Sequence, residues 1–116
     1  MAKDTSGTVI VHHAEILVRG DDALGAKLMG SFLRTLAAIA AKPEAMVFYN
    51  AAVRLLAAES AHLDSLRALD DAGVELLACV TCLEHFALTG KIAVGRVSNM
   101  REIAQRTMEA GKVVTA

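Results

Sequence analysis

The sequence predicts an α/β protein, a three-layer α/β/α sandwich built around a parallel sheet of about five strands. Short apolar, β-branched runs alternate along the chain with longer segments in which apolar residues recur every three or four positions. This alternation is typical of strands joined by crossover helices, which lie on both faces of a parallel sheet. The 116 residues suffice for a single domain over 1–116 and are too few for two.

The composition argues against several classes of function. Hydrophobic residues make up 54% of the chain and charged residues 22%, which excludes disorder and favours a densely buried or oligomeric fold. A net charge of -1 and an aromatic content of 3% argue against nucleic-acid binding, and no stretch is long and apolar enough for a membrane span. The first seven residues lack the pattern of a signal peptide, so we expect a cytoplasmic protein with reduced cysteines.

The first half of the chain is predicted to contain two strands and one long helix. Thr8–His12 is short and β-branched, as expected of a strand. A helix is predicted from about 22 to 41, capped by an aspartate and stopped by Pro43. Segment 45–49 has no polar alternation, which predicts a strand buried on both faces. The apolar face of the long helix is marked by Leu24, Leu28, Phe32 and Leu36, and it is widened by Met29, Leu33 and Ala40.

The middle of the chain is predicted to contain two helices. Segment 51–58 is predicted as a short helix, and Ser60 as the cap of the helix that follows. Gly73 is expected to end that second helix in a left-handed conformation. The residues of the second helix that are predicted to face the core are Leu63, Leu66 and Leu69.

The last third of the chain is predicted to add three short strands and two helices. Asn99 and Glu102 have the spacing of a capping box, which marks the start of the last helix. The predicted elements are a strand at 74–78, a short helix at 82–88, a brief strand at 92–94, a helix from 99 to 110 and a closing strand at 113–114.

The only two cysteines of the sequence, Cys79 and Cys82, directly follow the predicted third strand. Ligands gather at the carboxyl ends of parallel strands, and the positive end of a helix stabilises a thiolate. Two thiols at this spacing can exchange a disulfide, resolve a persulfide or supply two ligands of a metal site. A zinc site needs three or four ligands, and the sequence has neither a second C-x-x-C nor an H-x₃₋₅-H pair, so we predict no metal and no cofactor. The competing interpretation is a pair of small buried residues at a strand end.

Three further residues are candidates for lining this site. Asn50 ends the second predicted strand at the same edge of the sheet, where the alternative is a plain turn residue. His12 ends the first predicted strand near the same edge. His85 lies three residues beyond Cys82 and could share a helical face with it, where the alternative is a solvated surface histidine.

Four segments in sequence order carry a resemblance to a known family: RGDDALG at 19–25 with LM at 28–29 and SFL at 31–33, FYN at 48–50, CVTCL at 79–83, and VSNM at 97–100. With these segments the chain resembles the DsrE/DsrF-like superfamily and, within it, the C-terminal domain of YedF-type proteins, which are sulfurtransferase-like proteins of selenium metabolism. The resemblance implies the same α/β/α sandwich, assembled as a homo-trimer or hexamer. It also implies a persulfide on Cys79, with Cys82 as the second thiol of a C-x-x-C subgroup.

The resemblance implies a cytoplasmic sulfur-relay or selenium-relay protein, with sulfurtransferase-like activity if it is an enzyme. YedF-type proteins carry a TusA-like domain, which this sequence does not contain, so a separate TusA-like protein is the expected sulfur donor. The helix argument favours Cys82 as the more acidic thiol, whereas the resemblance favours Cys79 as the carrier. The alternative from another class is a non-catalytic oligomeric binding module on the same fold.

Overall fold

Strands and helices alternate along the whole chain in the computed structural model, which describes residues 5–116. The elements are β1 (Thr8–His12), α1 (Asp22–Ala38), β2 (Ala45–Phe48), a 3-10 helix (Asn50–Leu56), α2 (Leu63–Asp71), β3 (Glu75–Cys79), α3 (Val80–His85), β4 (Arg96–Ser98), α4 (Met100–Glu109) and β5 (Lys112–Thr115). The five strands form one sheet in the order β4-β3-β2-β1-β5, and every neighbouring pair is parallel. The predicted α/β class and the five parallel strands are confirmed.

Helices cover both faces of this sheet, but unevenly. Side chains alternate between faces along a strand, so Met46 and Phe48 of β2 face one layer while Val47 faces the other. The larger core lies on the first side, where the strands pack against α1, α2, α3 and the 3-10 helix. On the second side Ile103 of α4 packs with Val47 and Leu77. The central strand β2 is buried at all four positions, as its unbroken apolar run predicted.

Helix α1 buries part of the face that the sequence predicted, since Met29, Leu33 and Leu36 are buried and Phe32 is half-buried. Leu24 and Leu28 are exposed, and the buried face contains Gly25, Met29, Gly30, Leu33 and Leu36. The segment before α1 packs against the helix at Gly25, where an added Cβ would lie 2.8 Å from the Cβ of Ile16. The buried face of α1 therefore includes a glycine at this contact, while the predicted Leu24 and Leu28 lie outside the buried face. The helix ends at Ala38, ahead of Pro43 and three residues before its predicted end.

The predicted strand at 92–94 is wrong. Ile92 makes only an isolated antiparallel bridge to Ala57, and the fourth strand is instead β4, after Gly95. Gly95 has a φ of 84°, and a Cβ there would lie 2.9 Å from the carbonyl oxygen of Leu76. The chain therefore makes its close turn at Gly95 and pairs with β3 only beyond it. The prediction assumed that the more apolar segment is the strand. In the structure the apolar Val94 is buried although it lies in a loop, whereas Val97 of the edge strand β4 is exposed.

Most helix ends follow their predicted signals. The Asn99 side chain accepts a hydrogen bond from the backbone N–H of Glu102 at 2.9 Å, and Gly73 is left-handed with a φ of 95°. Ser60 acts differently from the predicted cap, since its hydroxyl accepts from the N–H of His62, which itself occupies the cap position of α2. Leu66 and Leu69 are buried as predicted, and Leu63 is half-buried.

Charged residues tie α4 to the amino end of the sheet, opposite the cysteines. Arg106 of α4 forms an ion pair with Glu75 of β3 at 2.6 Å, and Arg96 of β4 bridges Glu75 and Glu102. Hydrogen bonds from both arginines hold the pKa of Glu75 below its usual value. These ion pairs orient α4 on the second face of the sheet. Within residues 5–116, no helix is both long and apolar enough to cross a membrane.

Candidate functional site

The two thiols meet at the carboxyl end of β3, and they differ in exposure. Cys79 is the last residue of the strand, is 2% exposed and packs in the smaller core beside Leu77 and Ile103. Cys82 is the third residue of α3, is half-buried and packs against both core clusters. Both cysteines are free. The pair thus combines a shielded thiol with an accessible one.

Asn50 contacts the accessible thiol through its backbone. It follows β2, whose last residue Phe48 lies opposite Ala78 of β3, so the two strand ends are neighbours. The N–H of Asn50 donates a hydrogen bond to the Cys82 Sγ atom at 3.0 Å. Asn50 has a φ of 50°, a left-handed conformation that asparagine adopts more readily than most residues. The structure therefore brings Asn50 to the cysteines, as the sequence predicted, but through the main chain.

A cavity of about 270 Å³ opens in front of Cys82. It includes the predicted residue His85, which is exposed and whose ring stands edge-on to Phe86 with the centroids 5.0 Å apart. The residues that line the cavity are Asn50, Thr81, Cys82, His85 and Phe86. Among residues 5–116, no three side chains of His, Cys, Asp or Glu form a group that could hold a metal ion.

Sequence reasoning missed the arginine that supports one wall of this cavity. The guanidinium carbon of Arg54 lies 4.3 Å from the centroid of the Phe86 ring, a cation–π contact. Arg54 also forms an ion pair with Glu15 at 3.2 Å. Arg54 comes from the 3-10 helix and Phe86 follows α3, so no local pattern in the sequence links them.

The electrostatics of Cys82 oppose the expectation of an acidic thiol. Burial is the largest influence and raises the pKa of Cys82, and the neighbouring Cys79 thiol raises it further. The N–H of Asn50 acts in the other direction, since it stabilises the thiolate. The net effect of burial and of these neighbours raises the pKa of Cys82, so the predicted lowering at the start of α3 is wrong.

Tyr49 is a second neighbour of the thiols that the sequence did not single out. Burial raises the pKa of its phenol, and the two cysteines raise it further, so the phenol stays protonated at neutral pH. Its hydroxyl lies 3.7 Å from the Sδ atom of Met100, at the start of α4. The signal in the sequence that could have identified Tyr49 is its position directly before Asn50 at a strand end.

His12 is at the predicted strand end but does not line the cavity at Cys82. Its ring is fully buried, stacks on Phe48 with the centroids 5.1 Å apart and meets Phe32 edge-on. Neither ring nitrogen has a hydrogen-bond partner among the described residues. Burial lowers its pKa to about 4, so the ring is neutral at physiological pH. It is the neighbouring His13 that is exposed.

Comparison with known proteins supplies the family. A family model described as "DsrE/DsrF-like family" matches residues 17–116, which include both cysteines and every strand except β1. The chain belongs to the DsrE/DsrF-like family. No significantly similar sequence was found among curated proteins.

Solved structures share the fold of this DsrE/DsrF-like chain. The ychN protein from E. coli superposes with a TM-score of 0.72 at 19% identity, covering 96% of this chain and 99% of the other. The protein of unknown function MTH1491 from Methanobacterium thermoautotrophicum gives 0.67 at 22% identity, covering 94% and 98%. The conserved protein of unknown function BT1422 from Bacteroides thetaiotaomicron gives 0.63 at 12% identity, covering 95% of each chain. At these identities the likeness concerns the fold.

Proposed function

We propose that this DsrE/DsrF-like protein is a cytoplasmic sulfur-relay carrier that holds sulfane sulfur, or selenium, as an adduct on the C-x-x-C pair. The observation that carries the proposal is the pairing of a shielded thiol, Cys79, with an accessible thiol, Cys82, at one strand end. A carrier needs one sulfur that a donor can reach and one place where the adduct is protected from free thiols. The association of the family with sulfur relay supports the same function.

The exposures favour an order of events in which sulfur enters at Cys82. The Cys82 thiolate attacks the outer sulfur of a donor persulfide, a new S–S bond forms, and the donor leaves as its thiolate. The Cys79 thiolate then attacks the outer sulfur of the Cys82 persulfide, which transfers it to Cys79 and releases the Cys82 thiolate. Each step exchanges one S–S bond for another, so no oxidant or reductant is consumed. Cys79 remains the holder of the adduct and Cys82 becomes the assisting thiol.

The proposed donor is a separate TusA-like protein, as the YedF-type resemblance implies. A donor protein must bring its own persulfide to the cavity at Cys82, where His85 and Thr81 are exposed at the rim. The Asn50 N–H donates a hydrogen bond to the Cys82 sulfur. This bond stabilises negative charge on the sulfur when the thiolate forms before the attack and when the thiolate is released after transfer to Cys79.

Mass spectrometry of the reduced chain after incubation with a sulfane-sulfur donor tests the function directly. We expect the parent protein to gain the mass of sulfur atoms and the double Cys79→Ser, Cys82→Ser variant to gain none. Cys82→Ser should load at least ten-fold more slowly, because a donor cannot reach buried Cys79 directly. Cys79→Ser should load on Cys82 but lose its sulfur faster when a small thiol is added.

Thr81→Ser is the matched control, since Thr81 lies between the cysteines and lines the same cavity. It should load at the parental rate. If the Cys82→Ser variant loads at the parental rate, Cys82 is not the residue at which sulfur enters. If the parent protein does not load at all, the carrier function is wrong, and the non-catalytic oligomeric binding module becomes the proposed function. Retained partner binding by the double serine variant would establish that alternative.

A further inference from the structure

A second cavity shares Asn50 with the cavity at Cys82. Its volume is about 400 Å³, within the range of small-molecule sites. Asn50 and Ala51 line it on one side, and the segment between β1 and α1 lines it on the other, including His13, Val18 and Arg19. Asn50, whose N–H contacts the Cys82 Sγ atom, is thus common to the walls of both cavities.

The lining of this second cavity is suited to an anion. Among residues 5–116, the ionisable residues that line it are His13 and Arg19, with no carboxylate beside them. Within the same residues, no ion pair and no side-chain hydrogen bond involves His13 or Arg19. Glu15 belongs to the same segment, but it is paired with Arg54 and lines a neighbouring groove instead. The Arg19 guanidinium, unpaired among residues 5–116, has the planar fork of donors that suits carboxylate, sulfonate or phosphate groups.

One wall of the cavity contains a residue in an unusual backbone conformation. Val18 has a φ of 57°, which is rare for a β-branched residue, whereas the φ of 50° at Asn50 on the other side is one that asparagine adopts readily. The segment is anchored to α1 through the N–H of Leu17, which donates to the carbonyl of Gly25 at 3.0 Å. Strained residues that persist in a fold are concentrated at binding sites, where the surroundings hold them in place. Arg19 is exposed and lines the cavity two residues beyond this anchor.

We propose that this second cavity binds the anionic end of a small sulfane-sulfur compound, whose sulfur then reaches Cys82 past Asn50. The inference rests on the proposed carrier function and adds a substrate class: low-molecular-weight anionic donors. Two sources share this chemistry. From thiosulfate, the Cys82 thiolate takes the outer sulfur and sulfite leaves with the bonding electron pair. From a carboxylate-bearing organic persulfide, the same attack releases the organic thiolate.

Binding is measured without sulfur transfer, so that failure of this inference is distinct from failure of the carrier function. The double Cys79→Ser, Cys82→Ser protein is titrated with thiosulfate and, separately, with reduced glutathione, while its amide NMR signals are followed. We expect shifts centred on His13, Arg19 and Asn50. Arg19→Met should raise the dissociation constant at least five-fold, and Arg19→Lys should restore part of the affinity. Lys27→Met, which removes an exposed cation lining a different groove, should leave the affinity unchanged.

The outcomes separate the two sources and the two hypotheses. Binding of glutathione without thiosulfate identifies an organic donor, the reverse identifies an inorganic one, and either supports the anion site. Absence of shifts at these residues with both probes overturns the inference. Equal weakening by Arg19→Met and Lys27→Met also overturns it, since the attraction would then be a general effect of surface charge. Sulfur loading of the parent chain is measured separately, so its outcome does not depend on the binding of either probe.

Discussion

Burial and the groups around it raise the pKa of the Cys82 thiol. Its thiol is half-buried beside a second thiol, and both features disfavour the thiolate. The opposing contribution comes from one backbone N–H, that of Asn50. The thiol is therefore expected to be a slow nucleophile at neutral pH, which suits a carrier that must not react with every disulfide it meets.

The pH profile of alkylation checks this expectation. The reaction of Cys82 with iodoacetamide, followed by mass spectrometry of the peptide that contains it, should reach half its maximal rate at a pH above the value of about 8.5 for free cysteine. The same peptide in denaturant is the control and should titrate as an ordinary thiol. A midpoint in the folded protein below that of the denatured control would mean that the helix end dominates after all.

The buried ring of His12 predicts a pH-dependent stability. An unfolded histidine binds its proton near pH 6.5, whereas in the folded chain the His12 pKa is about 4. Protonation therefore favours the unfolded state as the pH falls from 6.5 to 4, and the free energy of unfolding should drop by up to about 3 kcal/mol across this window. His12→Leu should remove this part of the slope in denaturant unfolding at pH 7, 5.5 and 4.5.

His13→Gln is the matched control, because this neighbouring histidine is exposed. It should keep most of the parental slope between pH 6.5 and 4. If His12→Leu retained the full slope, the acid sensitivity would have to come from other groups.

At the level of secondary structure, one turn decides where the fourth strand pairs. Gly95 passes so close to the carbonyl of Leu76 that a side chain has no room. The strand that follows places Ser98 opposite Cys79, and Asn99 then caps α4. The turn at Gly95 thus positions the strand and the helix that flank the shielded thiol.

Two glycine substitutions separate backbone strain from steric clash. Gly90→Ala should cost about 1 kcal/mol of unfolding free energy, because Gly90 has a φ of 72° but open space around it. Gly95→Ala should cost about 3 kcal/mol, because the added Cβ must also displace the Leu76 carbonyl. Thermal or denaturant unfolding of both variants measures the difference. Equal costs would show that the contact at Leu76 yields easily.

At the level of the whole molecule, the apolar surface exceeds what the fold can bury. One helix covers the second face of the sheet, and the edge strand β5 is exposed at all four positions, with Val113 43% and Val114 36% exposed. Met108 of α4 is 84% exposed. Exposed apolar side chains in excess of what a small core uses are typical of surfaces that subunit contacts cover.

We therefore expect a homo-oligomer, and the family resemblance implies a trimer or a hexamer. Sedimentation velocity at micromolar concentration should show a species of at least three times the chain mass. The double Cys79→Ser, Cys82→Ser variant should sediment in the same way, since the apolar surface does not include the thiols. A monomer under these conditions would contradict the expectation.

Local signals in the sequence determined the fold class and the position of much of the candidate site. The alternation of strand and helix periods sufficed for the parallel sheet, because crossover connections leave few other arrangements. Asn99 and Gly73 marked their helix ends through chemistry that acts within a few residues. The cysteines could be assigned to a strand end for the same reason, and Asn50 to the neighbouring one.

Only the tertiary structure decided the properties that depend on distant residues. The bond between Asn50 and Cys82 joins positions 32 apart, and the difference in exposure between the two thiols depends on packing from both faces of the sheet. The direction of the Cys82 pKa and the burial of His12 follow from that packing. The position of β4 was hidden for a related reason: an edge strand need not be apolar, so hydrophobic periodicity carries no signal for it. Sequence patterns report local preferences, whereas burial and desolvation are set by the assembled chain.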